Sequence, residues 1–345
     1  KTILDSRGMW TLQVEIELSD DSRGLASVPQ GKSTGSFEAV SISPLQSLRQ
    51  IERVLKEGII GISSSDQQKF DGILQSLDGT NDKSYLGANT LLAISYANAK
   101  AQANSQHVPL WKYLADQYDT TPRLPGVLAN VINGGLHAGN SLPFQEYLIL
   151  PQVTHSEYAV HMIVQFYQSL GKHLKDKWGG LANAIGDEGG YAPPIEDPLE
   201  PFEIFNQVRD ELNLSPDQIS YGLDAAANEV AYSEDELFDL YDQIKEKYQL
   251  RYLEDPFGES NGPAFSKLLN ATDRACPIVG DDLTATDIKR IHAAFTDHTA
   301  NGVIIKPNQI GTVSEAMLAG KRAQEYGWYV VASHRSGETN DTAIV

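Results

Sequence analysis

Between Leu250 and Thr312 a short apolar run ends on an ionisable residue three times in succession. Tyr252-Leu253 leads into Glu254, Ile278-Val279-Gly280 into Asp281, and Val303-Ile304-Ile305 into Lys306. The pattern extends backward to Tyr221-Gly222-Leu223 before Asp224 and forward to Tyr329-Val330-Val331 before His334. Successive ends fall 30, 27, 25 and 28 residues apart, room for one β-strand and one α-helix per step. Helical signals fill the intervals. Leu237, Leu240, Tyr241 and Ile244 recur at i, i+3, i+4 and i+7, and Ser233-x-x-Glu236 and Thr312-x-x-Glu315 read as capping boxes that start helices. Repeated strand–helix units with chemistry at the strands' C-terminal ends predict an α/β fold of the (β/α)8-barrel type, with the active site inside residues 146–336.

The first 122 residues carry a different pattern. From Thr11 to Leu18, Leu12, Val14, Ile16 and Leu18 alternate with Thr11, Gln13, Glu15 and Glu17, and Ser19-Asp20-Asp21-Ser22 supplies a turn before Leu25–Val28. This predicts a β-hairpin. Helical periodicity follows over Pro44–Ile60 and Tyr85–Gln102, so the chain opens with a smaller α+β domain. Pro122, Pro125 and Gly126 mark its end, which predicts an N-terminal α+β capping domain over 1–122 and a barrel domain over 123–345. The loop Pro29-Gln30-Gly31-Lys32-Ser33-Thr34-Gly35 resembles a phosphate loop only superficially. Residue 26 is Ala where such a loop needs its first glycine, and no strand–loop–helix context follows. Its composition suits a mobile polar flap or a plain surface loop.

Composition narrows the setting. No apolar run among the 345 residues approaches the ~20 needed to span a bilayer, and no signal segment opens the sequence. The single cysteine, Cys276, fits a reducing compartment, and a cytoplasmic location is expected. With Lys+Arg 27 against Asp+Glu 46 the net charge is −19, which argues against nonspecific nucleic-acid binding. An anionic substrate would need local cations to overcome that field.

Motifs along the whole chain carry a resemblance. Asp5-Ser6-Arg7-Gly8, Ser33-Thr34-Gly35, Leu77-Asp78-Gly79-Thr80 and Leu86-Gly87-Ala88-Asn89 lie in the first domain. In the second are Asn133-Gly134-Gly135-Leu136-His137-Ala138-Gly139-Asn140, Gln145-Glu146, Gly186-Asp187-Glu188-Gly189-Gly190 and Gly222-Leu223-Asp224. These are followed by Leu253-Glu254-Asp255-Pro256-Phe257, Gly280-Asp281-Asp282-Leu283, Ile305-Lys306-Pro307-Asn308-Gln309-Ile310-Gly311-Thr312 and Ser333-His334-Arg335-Ser336-Gly337-Glu338-Thr339. In this order they resemble the motifs of the enolase family.

The resemblance implies dehydration of 2-phosphoglycerate to phosphoenolpyruvate in glycolysis, reversed in gluconeogenesis. The proton removed sits beside a carboxylate, so the carbon acid is weak and its anion needs concentrated positive charge. Asp224, Glu254 and Asp281, on three successive strand ends, are the hard oxygen ligands that suit Mg²⁺. Two Mg²⁺ ions per active site are implied, with Ser33 reaching the second when the flap closes and excludes water. Lys306 matches the general base, since enolase-superfamily sites use a Lys or His base with one or two Mg²⁺ ions. A lysine snorkelling at a barrel rim is its plainer reading. Glu188 corresponds to the acid that protonates the departing hydroxide, with Glu146 paired nearby so that the two carboxyls hold one proton tightly. His137, Glu146, His334, Arg335 and Ser336 match substrate-contacting positions, and Arg335 suits bidentate phosphate binding. The partners implied are 2-phosphoglycerate and phosphoenolpyruvate, with no nucleic acid and no membrane span, in a homodimer or higher homo-oligomer.

Departures from the family pattern bear on this reading. Gln30 and Lys32 stand in the flap where the family has Ser-Gly-Ala-Ser-Thr-Gly, and Met9-Trp10 replaces Asn-Pro. A charged Arg-Asp-Gly-Asp stretch after Glu38-Ala39 is absent, as is a strand-like insertion between Glu229 and Ser233. Strand ends at Glu146, Glu188, Asp224, Glu254, Asp281, Lys306 and His334 number seven where a closed barrel has eight. The expectation is a further helix and strand beyond Val345 bearing a substrate-binding lysine. Lys32 and that missing strand favour an alternative, an enolase-like protein with reduced or no turnover that acts in binding or as a scaffold. A third reading, another carbon-acid enzyme of the superfamily, is disfavoured by Glu146, Glu188 and Ser33.

Overall fold

Alternating apolar and polar residues shape the first strands. The computed structural model describes residues 1–32, 34–54, 58–272 and 276–344, with the backbone alone at Asn183. Its contacts divide into two compact units, Lys1–Pro122 with Thr284–Ala293 and Val303–Val345, and Arg123–Leu283 with Ala294–Gly302. Among the described residues no helix is long and apolar enough to cross a membrane.

In the first unit, β1 (Thr2–Leu4), β2 (Trp10–Glu17) and β3 (Arg23–Ser27) form an antiparallel sheet in that order, with Val14 opposite Ala26. The expected hairpin is β2–β3, and β1 is an addition. The helices α1 (Pro44–Val54), α2 (Gln67–Asp78), α3 (Ala88–Ser105) and α4 (Leu110–Tyr118) follow. Leu12, Val14 and Ala26 bury their side chains with Leu91, Leu92 and Ile94 of α3. Helix and strand approach so closely that a Cβ on Gly24 would lie 2.0 Å from the Ala97 carbonyl oxygen, so only glycine fits there. The later segments of this unit join the same core. Val313, which opens α11 (described below), is 2% exposed in it, and the Val313 amide donates to Ser95 Oγ at 3.0 Å.

The second unit begins with β4 (Ala129–Asn133) and β5 (Glu146–Pro151), then α5 (Ser156–Trp178) and α6 (Glu200–Glu211). The strand–helix alternation continues with β6 (Ile219–Asp224), α7 (Glu234–Lys247), β7 (Leu250–Glu254), α8 (Gly262–Ala271) and β8 (Ile278–Gly280). α9 (Ile288–Thr296) and β9 (Gly302–Ile305) come next, then α10 (Pro307–Ile310), α11 (Val313–Glu325) and β10 (Tyr329–Ala332). The second unit's strands run in the order β8-β7-β6-β5-β4. β6, β7 and β8 are parallel, whereas β4, β5 and β6 are antiparallel. Every residue of β6 is buried, as expected for a strand covered on both faces. Phe202 and Phe205 of α6 pack on Tyr221 of β6 at ring separations of 6.2 and 5.4 Å.

Two expectations about strand ends are corrected here. Glu146 is the first residue of β5, not a C-terminal end. β5 runs antiparallel to β6, and that reversal sets its first residue opposite Asp224, the last of β6. Glu188 ends no strand. It lies in a glycine-bounded turn between the isolated bridge partners Ile185 and Tyr191, where Gly186 and Gly190 close on each other through a 2.8 Å amide–carbonyl bond. The strand that precedes β5 is β4, ending at Asn133.

Candidate active site

Strand register assembles the second unit's carboxylates. Glu146 is the partner of Asp224 across β5–β6, and Asp224 is the partner of Glu254 across β6–β7, so three carboxylate-bearing residues stand side by side on adjacent strands. Asp281 follows directly on β8. Asp224 is 5% and Glu254 7% exposed. Gln145 Nε2 donates to Asp224 Oδ2 at 2.9 Å, the Ala226 amide donates to Oδ1 at 3.0 Å, and the Tyr252 hydroxyl donates to Glu254 Oε2. Removal from water, then the charge of Glu254, pushes the Tyr252 hydroxyl well above its ordinary pKa and keeps it a donor.

Asp255, the next residue after β7, turns away into the backbone. Its two oxygens accept the amides of Asp281 (3.1 Å) and Asp282 (2.7 Å), and Asp282 Oδ2 accepts from Asn228 Nδ2 at 3.1 Å. Asp255 has a left-handed backbone (φ 37), strain that these bonds hold in place. Burial and the charges of Asp282 and Asp281 hold its carboxyl well above the usual range. Asp255 thus fixes the turn that presents Asp281.

Glu188 is held by residues whose role the sequence did not single out. Asn133 Nδ2 donates to Glu188 Oε2 at 3.1 Å, Asn130 Nδ2 lies 3.4 Å from the same oxygen, and Asn133 Oδ1 accepts the Gly190 amide at 3.0 Å. A Cβ on Gly186 or Gly190 would lie 2.6 or 2.7 Å from Asn133 side-chain atoms, so both glycines are there to let the loop close on that asparagine. On the other side, His137 Nδ1 lies 2.7 Å from Glu188 Oε1, both side chains 4% exposed. Burial, then the charges of Glu188 and Asp224, raises Glu146 well above the usual carboxylate range. Glu146, Glu188 and His137 thus form one cluster able to retain a proton that a solvated carboxylate would lose.

The first unit carries Lys306, His334, Arg335 and Ser336. Lys306 follows β9 directly, and its amide donates to Thr286 Oγ1 at 2.9 Å. Ala285 and Thr286 are both left-handed (φ 45 and 54), a strained turn that sets this anchor, and Thr286 also donates to Gln309 Oε1 at 2.7 Å. His334 follows β10 by two residues and is exposed, whereas Arg335 and Ser336 after it are buried. Arg335 is 7% exposed. Its Nη1 donates to Glu38 Oε2 at 3.0 Å and to Asn308 Oδ1 at 3.2 Å, and its Nη2 donates to Glu38 Oε1 at 3.1 Å. Ser336 Oγ accepts the Lys32 amide at 2.8 Å, and Gln30 and Gly337 exchange both backbone bonds. The segment read as a flap is therefore tied through Gln30 and Lys32, while Ser33 itself lies outside the described residues.

The donor set fits a hard divalent cation. Asp224, Glu254 and Asp281 present carboxylate oxygens on adjacent strand ends, and the like charge that adds to burial in raising Glu146 and Asp255 is the kind that a cation relieves.

Parallel strands with helices between them and ionisable groups at their ends, in a chain that also holds an antiparallel sheet packed by helices, define an α/β protein of the barrel type. Residues 1–114 match the family described as "Enolase, N-terminal domain", and residues 121–235 and 228–345 match "Enolase, C-terminal TIM barrel domain". The chain is 38% identical to "Enolase" of Methanopyrus kandleri over 369 residues, covering 100% of this chain and 86% of the relative. It is 39% identical to "Enolase" of Ehrlichia ruminantium over 371 residues, with 100% and 86% covered, and 37% identical to "Enolase" of Thermococcus gammatolerans over 369 residues, with 100% and 85% covered. The chain belongs to the enolase family.

Proposed function

We propose that the protein is a lyase that interconverts 2-phosphoglycerate and phosphoenolpyruvate. The observation that carries this reading is the in-register row Glu146, Asp224 and Glu254, with Asp281 presented by Asp255. We assign Asp224, Glu254 and Asp281 to one Mg²⁺ and Ser33 to a second. When bound, the cations supply positive charge beside the substrate's carboxylate, which makes the neighbouring carbon more acidic. Lys306 takes the proton from C2. Glu188, beside Glu146 and steadied by Asn133 and His137, delivers the proton that this pair of carboxyls holds to the departing hydroxyl. Arg335, Ser336, His137 and His334 hold the substrate's anionic groups and orient it.

The proposal extends to a capping domain over 1–122 and a barrel domain over 123–345, acting in the cytoplasm as a homodimer or higher homo-oligomer. It is tested by following phosphoenolpyruvate absorbance on adding 2-phosphoglycerate, with and without Mg²⁺. Mg²⁺-dependent formation is expected. Binding of 2-phosphoglycerate with no product under saturating Mg²⁺ would instead identify a binding or scaffold protein of the family.

A further inference from the structure

The guanidinium of Arg335 is oriented by a carboxylate from a distant part of the chain, one outside the roles assigned above. Both oxygens of Glu38 accept from the two terminal nitrogens of Arg335, at 3.0 and 3.1 Å, with the side chains 6% and 8% exposed. This is the fork-on-fork geometry that fixes the plane of a guanidinium as well as its position. Asn308 Oδ1 takes a further donor of Nη1 at 3.2 Å, and Glu338 Oε1 accepts the Arg335 amide at 2.8 Å. Glu38 is itself anchored, since its Oε1 also accepts the Gly35 amide at 3.1 Å. The arrangement is over-determined, and all of its members lie in the first unit.

We propose that Glu38 is a positioning residue for substrate: it aims the Arg335 guanidinium at the substrate's phosphate, an assignment that rests on the function proposed above. A bare counter-ion would act differently. A carboxylate that only masked the charge of Arg335 would weaken phosphate binding, and its neutralisation would strengthen it. A carboxylate that sets the plane of the fork makes phosphate binding worse when it is lost, even though the site gains positive charge. The direction of change in KM separates the two.

The experiment compares wild type with Glu38→Gln and Glu38→Ala in the 2-phosphoglycerate assay, together with inhibition by inorganic phosphate and the melting-temperature rise on adding Mg²⁺. The expected result is a KM for 2-phosphoglycerate about tenfold higher in Glu38→Gln and higher still in Glu38→Ala, with kcat within about twofold of wild type. Inhibition by phosphate should weaken in parallel, and the Mg²⁺-induced rise should be unchanged. An unchanged or lowered KM would overturn the proposal, as would loss of the Mg²⁺ response together with activity, which would make Glu38 a structural residue. Absence of turnover in wild type itself would overturn the functional reading instead, so the two failures are distinct.

Discussion

Asp71 shows how one side chain can give the molecule a pH dependence. It is fully buried, accepting from Gln67 Nε2 at 3.0 Å and from the Ser314 amide and hydroxyl at 2.9 and 2.6 Å. Burial pushes its pKa up from 3.8 to about 6, against the lowering effect of those hydrogen bonds. Because the folded value is the higher, the native state holds more protons than the unfolded chain between these limits. Its contribution is complete below about pH 4 and is lost as pH rises to about 6, a change of about 3 kcal/mol for two pKa units. Urea unfolding from pH 4 to 7 should show that decline in wild type relative to Asp71→Asn, and parallel curves would refute it. Asn133 is the second residue-scale case. Asn133→Ala should slow phosphoenolpyruvate formation by about tenfold through Glu188 while leaving C2 proton exchange near the wild-type rate; equal loss of both would show that it serves the whole site. Asn133, Gln145 and Asp255 were present in the motifs but silent as to role, because an amide or carboxylate that supports another group has no spacing of its own. Glu38 was silent for the same reason, lying 297 positions from Arg335.

At the scale of elements, the helix starts were the most legible features, because a cap is a local interaction. Ser233 and Glu236 form both halves of the expected capping box, and Thr312 accepts the Glu315 amide. Ser233→Ala should lower stability by about 1 kcal/mol, read as a fall in the denaturation midpoint, and no change would show that α7 is held by its buried Leu237, Tyr241 and Ile244 alone. β6 and β7 end on Asp224 and Glu254 as the apolar runs indicated. The direction of β5 was not legible. An apolar strand reads the same whichever way its neighbour runs, and only the register across β5–β6 shows that Glu146 opens its strand. α2 was hidden by Gly72 at its centre and by the serine run before its Asp66 cap. The glycine turn around Glu188 imitated a strand end because its closing partner, Asn133, lies far away in sequence.

For the molecule as a whole, the charge of −19 sets the electrostatic problem, and the carboxylates gathered by strand register are its sharpest expression. The alternation of strands and helices was readable from spacing because each step buries one apolar run, and the order of motifs carried the family. Cation binding to the folded state alone should raise stability, so adding excess Mg²⁺ after chelation should raise the melting temperature by on the order of a few degrees. An unchanged melting temperature would count against the metal site. The division of labour between Lys306 and Glu188 is the centre of the account, and exchange of the C2 proton of 2-phosphoglycerate with deuterated solvent, followed by NMR, tests it most directly. Wild type should exchange, Lys306→Ala should not, and Glu188→Gln should exchange while forming no phosphoenolpyruvate. Exchange at the wild-type rate in Lys306→Ala would contradict the account.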